Sequence, residues 1–367
     1  MNNADKLNKS LKIALIGCGR VAVKHLSAIK YLRHHFRSCP KIELVAVVDP
    51  NREQVQKQLQ SDSHFRNIAV LSDTAKLYAE YQPDLVAITT PSGSHYRLAR
   101  EALENKCHIL VEKPVTMTSQ EAIDLKQLAS TNKLQIAIGH IYRYFPAVKQ
   151  LSEELQRGDF GRILYGSVDV RWGHDQAYYD QADWRGTYSQ DGGAIMNQSI
   201  HALDLMHLLL GRPQLKSVTA RCTTQNHRME AEDLGFAICE FSDNIWLNVE
   251  GTTNTSPDDH EANFFVCCTA GEIRAGLRNG KITLDIRKFA DQEQNKNLKT
   301  KYLKQALLDY WREGGWRRLK EIKNPHTGIY IDLIESILHM QEGMTPFADI
   351  DSGINAVTLV EAIYNNR

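Results

Sequence analysis

The chain has 367 residues, of which 42% are hydrophobic and 24% are charged. This length suggests two domains, and the ordinary composition excludes a chain that is disordered throughout. Lysine plus arginine and aspartate plus glutamate each number 44, so no net basic field favours nucleic acid or an anionic membrane surface as a partner.

The N-terminal stretch and the cysteines are typical of a cytoplasmic protein. The first ten residues lack the apolar run of a signal peptide, and no apolar run approaches the ~20 residues that span a bilayer. There is no Cys-x-x-Cys pair, so we expect buried, reduced thiols and neither a disulfide framework nor a metal site. The cysteines are Cys18, Cys39, Cys107, Cys222, Cys239, Cys267 and Cys268.

Short apolar runs alternate with helical stretches from residue 11 to about residue 140. The runs predicted as strands are 11–17, 42–49, 68–71, 85–91, 108–114 and 134–140. They lack strict alternation, which is typical of strands covered on both faces, and the helices between them indicate βαβ units. Residues 1–140 are therefore predicted to form an α/β domain with a doubly wound parallel sheet.

The pattern changes after about residue 145. A helix near 146–157 precedes strand-like runs at 162–172, 215–223, 234–241, 245–251, 264–270 and 282–289. Because few helices separate them, residues 141–367 are predicted to form an α+β domain with a largely antiparallel open sheet. Helices are also predicted at 195–210 and near 352–365, and the last could pack against the first domain.

A further helix-prone stretch, 287–323, is rich in lysine and arginine. It could neutralise a substrate diphosphate, but its interspersed acidic residues favour a solvated helical surface.

A glycine-rich turn joins the first predicted strand to the first helix. Gly17 permits the tight turn, Gly19 lets a pyrophosphate approach the backbone, and Ala22 lets helix and strand pack closely. The N–H groups at the start of the helix would hold the phosphates. The residues expected to bind a dinucleotide here are Gly17, Gly19, Arg20, Val21 and Ala22.

Asp49 ends the next predicted strand, where a carboxylate accepts ribose hydroxyls and repels a 2′-phosphate. This position favours NAD over NADP as the cofactor. Asp49 follows Gly19 by 30 positions instead of the usual ~20, an excess that the polar segment 33–41 can absorb.

Open α/β sheets bind ligands at the carboxyl ends of their strands. Three other motifs fall at such ends, namely 89–95, 112–114 and 139–140. A lysine at such a strand end faces the cleft, where desolvation suits it to proton transfer; a rim lysine paired with Glu112 is the alternative. The residues expected to contact the cofactor at these strand ends are Thr90, Pro91, His95, Glu112 and Lys113.

Polar residues recur on the helix predicted at 195–210. Asn197, His201 and Asp204 are spaced i, i+4 and i+7 and so share one face. The apolar residues surround the helix widely, which indicates that it is buried. A polar stripe there either lines a site or forms a satisfied internal network, and the helix alone leaves both readings open.

Together, the order of these motifs resembles that of Gfo/Idh/MocA-type oxidoreductases over nearly the whole chain. The resemblance implies a Rossmann domain, then an α/β domain whose open sheet often forms the oligomer interface, hence a homodimer or homotetramer. It also implies NAD(P)-dependent oxidation of a sugar or cyclitol hydroxyl, with Lys113 contacting that hydroxyl and His201 as acid/base. The Lys113–Pro114 bond is often cis in this family.

One position departs from the inositol-dehydrogenase-like branch, which frequently has aspartate where this chain has Asn197. Since an amide cannot ionise, we expect Asn197 to hydrogen-bond substrate and not to relay a proton. We place Asp204 with it among the substrate-binding residues.

The stretch from Arg171 to Thr187 resembles members that oxidise the C3 hydroxyl of nucleotide-linked amino sugars. Trp184 suits sugar or base stacking, and Arg185 and Arg143 could pair with a phosphate or carboxylate. An aromatic loop that merely packs is the alternative.

Two other functions compete with this one. The chain could oxidise free inositol or an aldose, or it could be a non-catalytic sensor of dinucleotide or sugar. The presence of both Lys113 and His201 argues against the sensor.

Overall fold

The computed structural model describes residues 10–36, 41–290 and 292–367. The predictions about residues 1–9, about Cys39 and about residues 37–40 of the segment 33–41 lie outside the described residues. The chain divides into two compact units. The first holds the residues up to Thr116, Gln120–Tyr144 and Glu313–Gly353, and the second holds Met117–Ser119, Phe145–Arg312 and Ile354–Arg367.

The elements follow in chain order. The strands are β1 (Leu11–Ile16), β2 (Ile42–Val48), β3 (Ala69–Leu71), β4 (Leu85–Ile88), β5 (His108–Val111), β6 (Ile136–Ile138), β7 (Ile163–Trp172), β8 (Leu215–Thr223), β9 (Leu234–Phe241), β10 (Trp246–Thr252), β11 (His260–Cys268), β12 (Gly271–Arg278) and β13 (Lys281–Lys288). The α-helices are α1 (Ala22–His35), α2 (Arg52–Gln60), α3 (Thr74–Lys76), α4 (His95–Glu104), α5 (Ser119–Asn132), α6 (Val148–Gln156), α7 (Gln176–Tyr179), α8 (Ile200–Leu209), α9 (Gln292–Lys320), α10 (Pro325–Leu338) and α11 (Ile350–Asn365).

The first unit contains a six-stranded parallel sheet in the order β3-β2-β1-β4-β5-β6. Leu15 of β1 lies opposite Val47 of β2 on one side and Ala87 of β4 on the other. All three side chains are buried, as expected for strands covered on both faces. The predicted doubly wound parallel sheet is confirmed.

A late segment of the chain completes the core of this unit. Ile329, Tyr330 and Leu333 of α10 belong to the same buried cluster as Leu15 of β1 and Ile29 of α1. The sequence analysis predicted no helix at 325–338 and placed a single domain boundary, at residue 140. The structure instead returns Glu313–Gly353 to the first unit.

The second unit contains a seven-stranded sheet in the order β13-β12-β11-β7-β10-β9-β8. Its neighbouring strands are antiparallel except for β7 and β10, which run parallel, so the predicted largely antiparallel open sheet is confirmed. Strand β12 follows β11 after a tight turn and was not distinguished in the sequence.

Helix α8 covers one face of this sheet at close range. A Cβ at Gly166 of β7 would lie 2.5 Å from the end of the Met206 side chain of α8, so a larger residue there would have to displace that side chain. The helix ends before Gly211, whose φ of +89° suits glycine. Among the described residues, none of the helices is long and apolar enough to cross a membrane.

The Lys/Arg-rich stretch 287–323 is largely the long helix α9, which non-helical backbone at Gly314 and Gly315 interrupts. Two of its basic side chains pair with acids on the same segment, Arg312 with Asp309 at 3.5 Å and Arg318 with Glu313 at 2.8 Å. These pairings support a solvated helical surface.

Candidate functional site

The glycine turn after β1 is shaped by neighbouring backbone. Gly17 has a φ of +89°, and a Cβ there would lie 2.9 Å from the carbonyl carbon of Thr89. By contrast, a Cβ at Gly19 would meet no atom within 4 Å, so that side of the turn is open. Helix α1 starts at the buried Ala22 and directs its first N–H groups to this turn. The predicted dinucleotide turn therefore has the shape and the donors to hold phosphate groups.

Asp49 lies beside this turn despite the long sequence spacing. Its Oδ2 accepts the Cys18 N–H and its Oδ1 accepts the Asn51 N–H, each at 2.8 Å. The carboxylate is partly exposed. Two backbone donors thus fix its orientation and leave it able to accept ribose hydroxyls. Burial and the charge of Asp49 raise the pKa of the Cys18 thiol to about 11, so the thiol is neutral.

The loop after β4 is held by side-chain hydrogen bonds. The Thr89 hydroxyl donates to the Gly17 carbonyl at 2.7 Å, which ties this loop to the glycine turn. The ring nitrogen atoms of the buried His95 lie 2.7 Å from the Pro114 carbonyl and 2.9 Å from the Thr90 carbonyl. Burial lowers the pKa of His95. His95 thus joins the loop with Thr90 and Pro91 to the next strand end, and its contact with a cofactor stays a prediction.

The Glu112–Lys113–Pro114 corner follows β5, and the Lys113–Pro114 bond is cis, as the resemblance implied. Glu112 is buried, and its Oε1 lies 3.0 Å from His25 Nε2 and 3.1 Å from His326 Nε2. Burial alone would raise the pKa of Glu112, but the hydrogen bonds from both histidines hold it well below its ordinary value. Glu112 is therefore ionised and satisfied within the protein.

The sequence prediction missed both histidine partners of Glu112. His25, Glu112 and His326 each offer a potential metal-ligand atom, and these atoms lie within 4.8 Å of one another. However, both Nε2 atoms are at hydrogen-bond distance from the same carboxylate oxygen, so each faces Glu112 and not a shared centre. We interpret the group as a hydrogen-bonded cluster.

Arg143, predicted to bind substrate, is buried in the first unit. Its Nη1 donates to the Phe347 carbonyl at 2.6 Å, and its guanidinium carbon lies 5.6 Å from the centroid of the Phe347 ring. This contact fastens the turn after β6 to the chain segment before α11.

In the second unit, the predicted polar helix begins differently from expectation. Residues Ala194–Ser199 form a π-helical turn, and the α-helix α8 starts only at Ile200. His201 and Asp204 share a face of α8, whereas Asn197 lies in the π turn, so the expected regular i, i+4 spacing is wrong for that pair. His201 is partly exposed and Asp204 is buried.

Two buried acids shape the π turn. Glu232 Oε1 accepts the Ile195 N–H at 2.8 Å and the Tyr364 hydroxyl at 3.0 Å. Asp191 accepts a hydrogen bond from the Asn197 amide, and its other oxygen accepts the Gly186 N–H at 2.8 Å. Asp191 therefore connects Asn197 to the aromatic loop that contains Gly186. The sequence prediction assigned no role to these acids.

Arg185 is held in that loop by aromatic rings. Its guanidinium carbon lies 4.2 Å from the centroid of the Tyr178 ring and 4.6 Å from that of Trp184. Within the described residues, no carboxylate forms an ion pair with Arg185, and its buried Nε has no hydrogen-bond partner. A cation stacked between rings without an acid partner is suited to an anionic ligand.

Family models match most of the chain. Residues 11–140 match that of an oxidoreductase family with an NAD-binding Rossmann fold, and residues 148–274 match that of the GFO/IDH/MocA C-terminal domain.

Several relatives are dehydrogenases. The D-glucoside 3-dehydrogenase of Escherichia coli K12 is 29% identical over 217 residues, which cover 57% of this chain and 57% of that protein. The scyllo-inositol 2-dehydrogenase (NAD(+)) of Bacillus subtilis 168 is 26% identical over 286 residues, or 76% of this chain and 78% of that protein.

Solved structures resemble the entire chain. The WlbA dehydrogenase from Bordetella pertussis, in complex with NADH and UDP-GlcNAcA, has a TM-score of 0.77 at 26% identity, covering 98% of this chain and 96% of that one. Levoglucosan dehydrogenase in complex with NADH has a TM-score of 0.79 at 20% identity, covering 98% and 97%, and shows the fold alone. The chain thus belongs to the Gfo/Idh/MocA family of oxidoreductases, as the order of its motifs predicted, and its first unit is an NAD-binding Rossmann domain.

Proposed function

We propose that this oxidoreductase transfers a hydride to NAD from a secondary hydroxyl of a sugar, specifically the C3 hydroxyl of a nucleotide-linked amino sugar. The observation that carries the substrate class is Arg185, a cation stacked on Tyr178 and Trp184 without an acid partner among the described residues. A phosphate or carboxylate of the substrate would neutralise it. Asp191 links the same loop to Asn197, which we expect to hydrogen-bond the sugar.

NAD is favoured over NADP because Asp49 presents a fixed carboxylate beside the glycine turn. The open side of Gly19 and the N-terminus of α1 would hold the pyrophosphate. Bound NAD supplies the hydride acceptor.

The chain's own contribution is to orient the sugar and to handle one proton. As the sugar carbon loses hydride, its hydroxyl proton leaves the oxygen, and we assign that proton to Lys113 and His201. Asn197 and Asp204 would hold the sugar's other hydroxyls. Such acid/base groups typically contribute ~10²–10⁴-fold to turnover.

A screen of nucleotide sugars, free aldoses and cyclitols with NAD, followed by the absorbance of the reduced cofactor, tests the substrate class. We expect His201→Ala to lower kcat by ~10²–10⁴-fold while the Kd for NAD changes little. His207→Ala is a matched control, because His207 lies on the same helix but hydrogen-bonds the Pro213 carbonyl. Normal turnover in His201→Ala would contradict the assigned role.

A free inositol or aldose dehydrogenase is the second candidate, favoured by the similarity to the scyllo-inositol enzyme. A nucleotide-sugar enzyme should bind uridine diphosphate ligands, and Arg185→Ala should weaken that binding. A cyclitol enzyme should ignore those ligands, and a sensor should bind ligand without turnover.

We further propose that the chain forms a homodimer or homotetramer through the second unit's sheet. On the face away from α8, Tyr165, Phe236, Ile238 and Trp246 are between 41% and 51% exposed on adjacent strands. An exposed apolar patch of this kind marks an interaction surface, and a second copy is its expected occupant.

We infer a cytoplasmic location from the cysteine pattern, because four of the six described cysteines are buried, as is typical of structural, reduced thiols.

A further inference from the structure

A buried polar cluster connects the Glu112–Lys113–Pro114 corner to the returning C-terminal segment. Glu112 is 214 positions before His326, yet Glu112 Oε1 and His326 Nε2 are 3.1 Å apart. His25 of α1 contacts the same oxygen at 3.0 Å through Nε2, and its Nδ1 lies 3.0 Å from the Tyr330 hydroxyl. These four side chains are buried. The cluster therefore joins the catalytic corner, the phosphate-binding helix α1 and α10.

The hydrogen bonds define where the protons are. Because Glu112 Oε1 accepts from both Nε2 atoms, each histidine carries a proton on Nε2. His25 Nδ1 can then accept from the Tyr330 hydroxyl, which makes His25 neutral. Burial lowers the pKa of His25 and raises that of Tyr330, in agreement with this assignment.

His326 differs from His25 in its second partner. Its Nδ1 lies 3.2 Å from Asn324 Oδ1. The Asn324 amide nitrogen donates to the Lys24 carbonyl at 3.0 Å, which leaves Oδ1 as the acceptor facing His326. Acceptor atoms thus face both ring nitrogen atoms of His326, a geometry that favours the doubly protonated, positively charged ring.

The carboxylate of Glu112 has little room to move. A Cβ at Gly139 would lie 2.7 Å from Glu112 Oε2, so the absence of a side chain at Gly139 makes space for that oxygen. The same Oε2 accepts the Lys113 N–H at 3.3 Å. A shift of the carboxylate would therefore move the backbone from which Lys113 projects.

We propose that His326 is a positioning residue for Lys113: as the charged partner of ionised Glu112, it fixes the corner from which Lys113 reaches the substrate hydroxyl. The role of Lys113 rests on the proposed function, whereas the protonation pattern does not. A displacement of about 1 Å at a reacting group costs up to ~10²-fold in rate, so the expected loss without His326 is ~10–100-fold in kcat.

The protonation pattern can be tested on the resting protein. Long-range ¹H–¹⁵N spectra of the full chain labelled at histidine nitrogen distinguish imidazolium from the two neutral tautomers. At neutral pH we expect the ring signals of His326 to be those of an imidazolium and the ring signals of His25 to be those of an Nε2–H tautomer. The signals that disappear in His25→Gln and in His326→Gln identify the two rings. The rings are in contact, with centroids 4.8 Å apart, and this contact provides a second way to assign their signals. A neutral His326 overturns the proposal.

Kinetic measurements on His326 variants test the positioning role. Because glutamine can keep a donor toward Glu112, we expect His326→Gln to retain a higher kcat than His326→Ala. The Kd for NAD and the melting temperature of the Gln variant should lie near those of the wild type. His339→Gln is the matched control, since His339 follows the same helix but is exposed on the surface with Glu342.

The outcomes distinguish the positioning role of His326 from the proposed function. An active wild type whose His326→Ala variant turns over normally overturns the positioning role. A loss of kcat explained entirely by lost folded protein overturns it too. An inactive wild type contradicts the proposed function, and the nitrogen spectra then decide the cluster by themselves.

Discussion

Substitution of Glu232 by alanine and by glutamine should distinguish how much its hydrogen bonds and its side-chain shape each contribute to stability. The carboxyl is 1% exposed, and its Oε1 accepts from the Ile195 N–H and from the Tyr364 hydroxyl. These donors fix the start of the π turn that carries Asn197. The other oxygen, Oε2, has no hydrogen-bond partner among the described residues.

The expected cost follows from the donors left behind. In Glu232→Ala the Ile195 N–H and the Tyr364 hydroxyl lose their acceptor, at ~1–3 kcal/mol each, so we expect a loss of ~2–6 kcal/mol in the free energy of unfolding. At ~2–4 °C per kcal/mol for a domain of this size, the melting temperature should fall by at least ~4 °C. Glu232→Gln keeps an acceptor in place and should cost no more than ~1 kcal/mol.

Differential scanning calorimetry of both variants, on the transition of the second unit, measures these values. Burial raises the pKa of Glu232 above its ordinary value of 4.5, so its native form binds a proton more tightly than its unfolded form. The stability of the wild type relative to Glu232→Gln should therefore be greatest below pH 4.5 and fall as the pH rises through the native pKa. Equal destabilisation by Gln and Ala, or none by Ala, would refute the reasoning.

Three further substitutions probe the rest of the chain. Gly193→Ala should destabilise the second unit by ~1–3 kcal/mol in thermal unfolding, since its Cβ would lie 2.2 Å from Glu232 Oε2; a wild-type melting temperature would contradict this packing. Asp49→Ser should weaken NAD binding by ~10–150-fold, which corresponds to the loss of hydrogen bonds to a charged acceptor. It should also reduce the difference in affinity between NAD and NADP, and titrations with both cofactors measure the two effects. Ile238→Lys should shift the protein toward monomer in light scattering, whereas Met344→Lys, at an exposed position of the first unit, should not; two unchanged profiles would place the interface elsewhere.

The first unit was predictable where its elements are local and repetitive. The buried parallel strands are mostly apolar runs, as 11–17 is, and the turn after β1 needs glycine at a position with positive φ. Asp49 was recognisable because the end of β2 must lie beside the end of β1 in such a sheet. Periodicity and strand adjacency thus suffice for the dinucleotide site.

The contacts between distant positions were not predictable in the same way. Nothing in the sequence near Glu112 indicates that His25 and His326 converge on it, because the convergence depends on how α10 returns. A signal for α10 itself exists: Pro325 begins the helix, and Ile329, Leu333 and Ile337 follow at helical spacing. This signal identifies a helix but not the sheet against which it packs.

The π turn at Ala194–Ser199 has a related origin. A propensity argument extends α8 back to Ile195, since nothing in Ala-Ile-Met-Asn-Gln-Ser forbids an α-helix. The turn is set instead by the tertiary partner Glu232, whose Oε2 occupies the space beside Gly193 and whose Oε1 accepts the Ile195 N–H. Partners that are distant in sequence override local preference at the start of this helix.

Because α10 belongs to the first unit, residue 140 is not the end of that unit. That position ends the six-stranded sheet, but the buried core of the first unit includes Ile329 and Leu333. His326, which also follows residue 140, hydrogen-bonds Glu112 beside His25. Substitutions in α10 should therefore act on two properties at once, the packing over β1 and α1 and the orientation of the corner after β5. Because one helix serves both, the stability of the first unit and the geometry at Lys113 are physically coupled, even though the motifs that define the nucleotide site all precede residue 140.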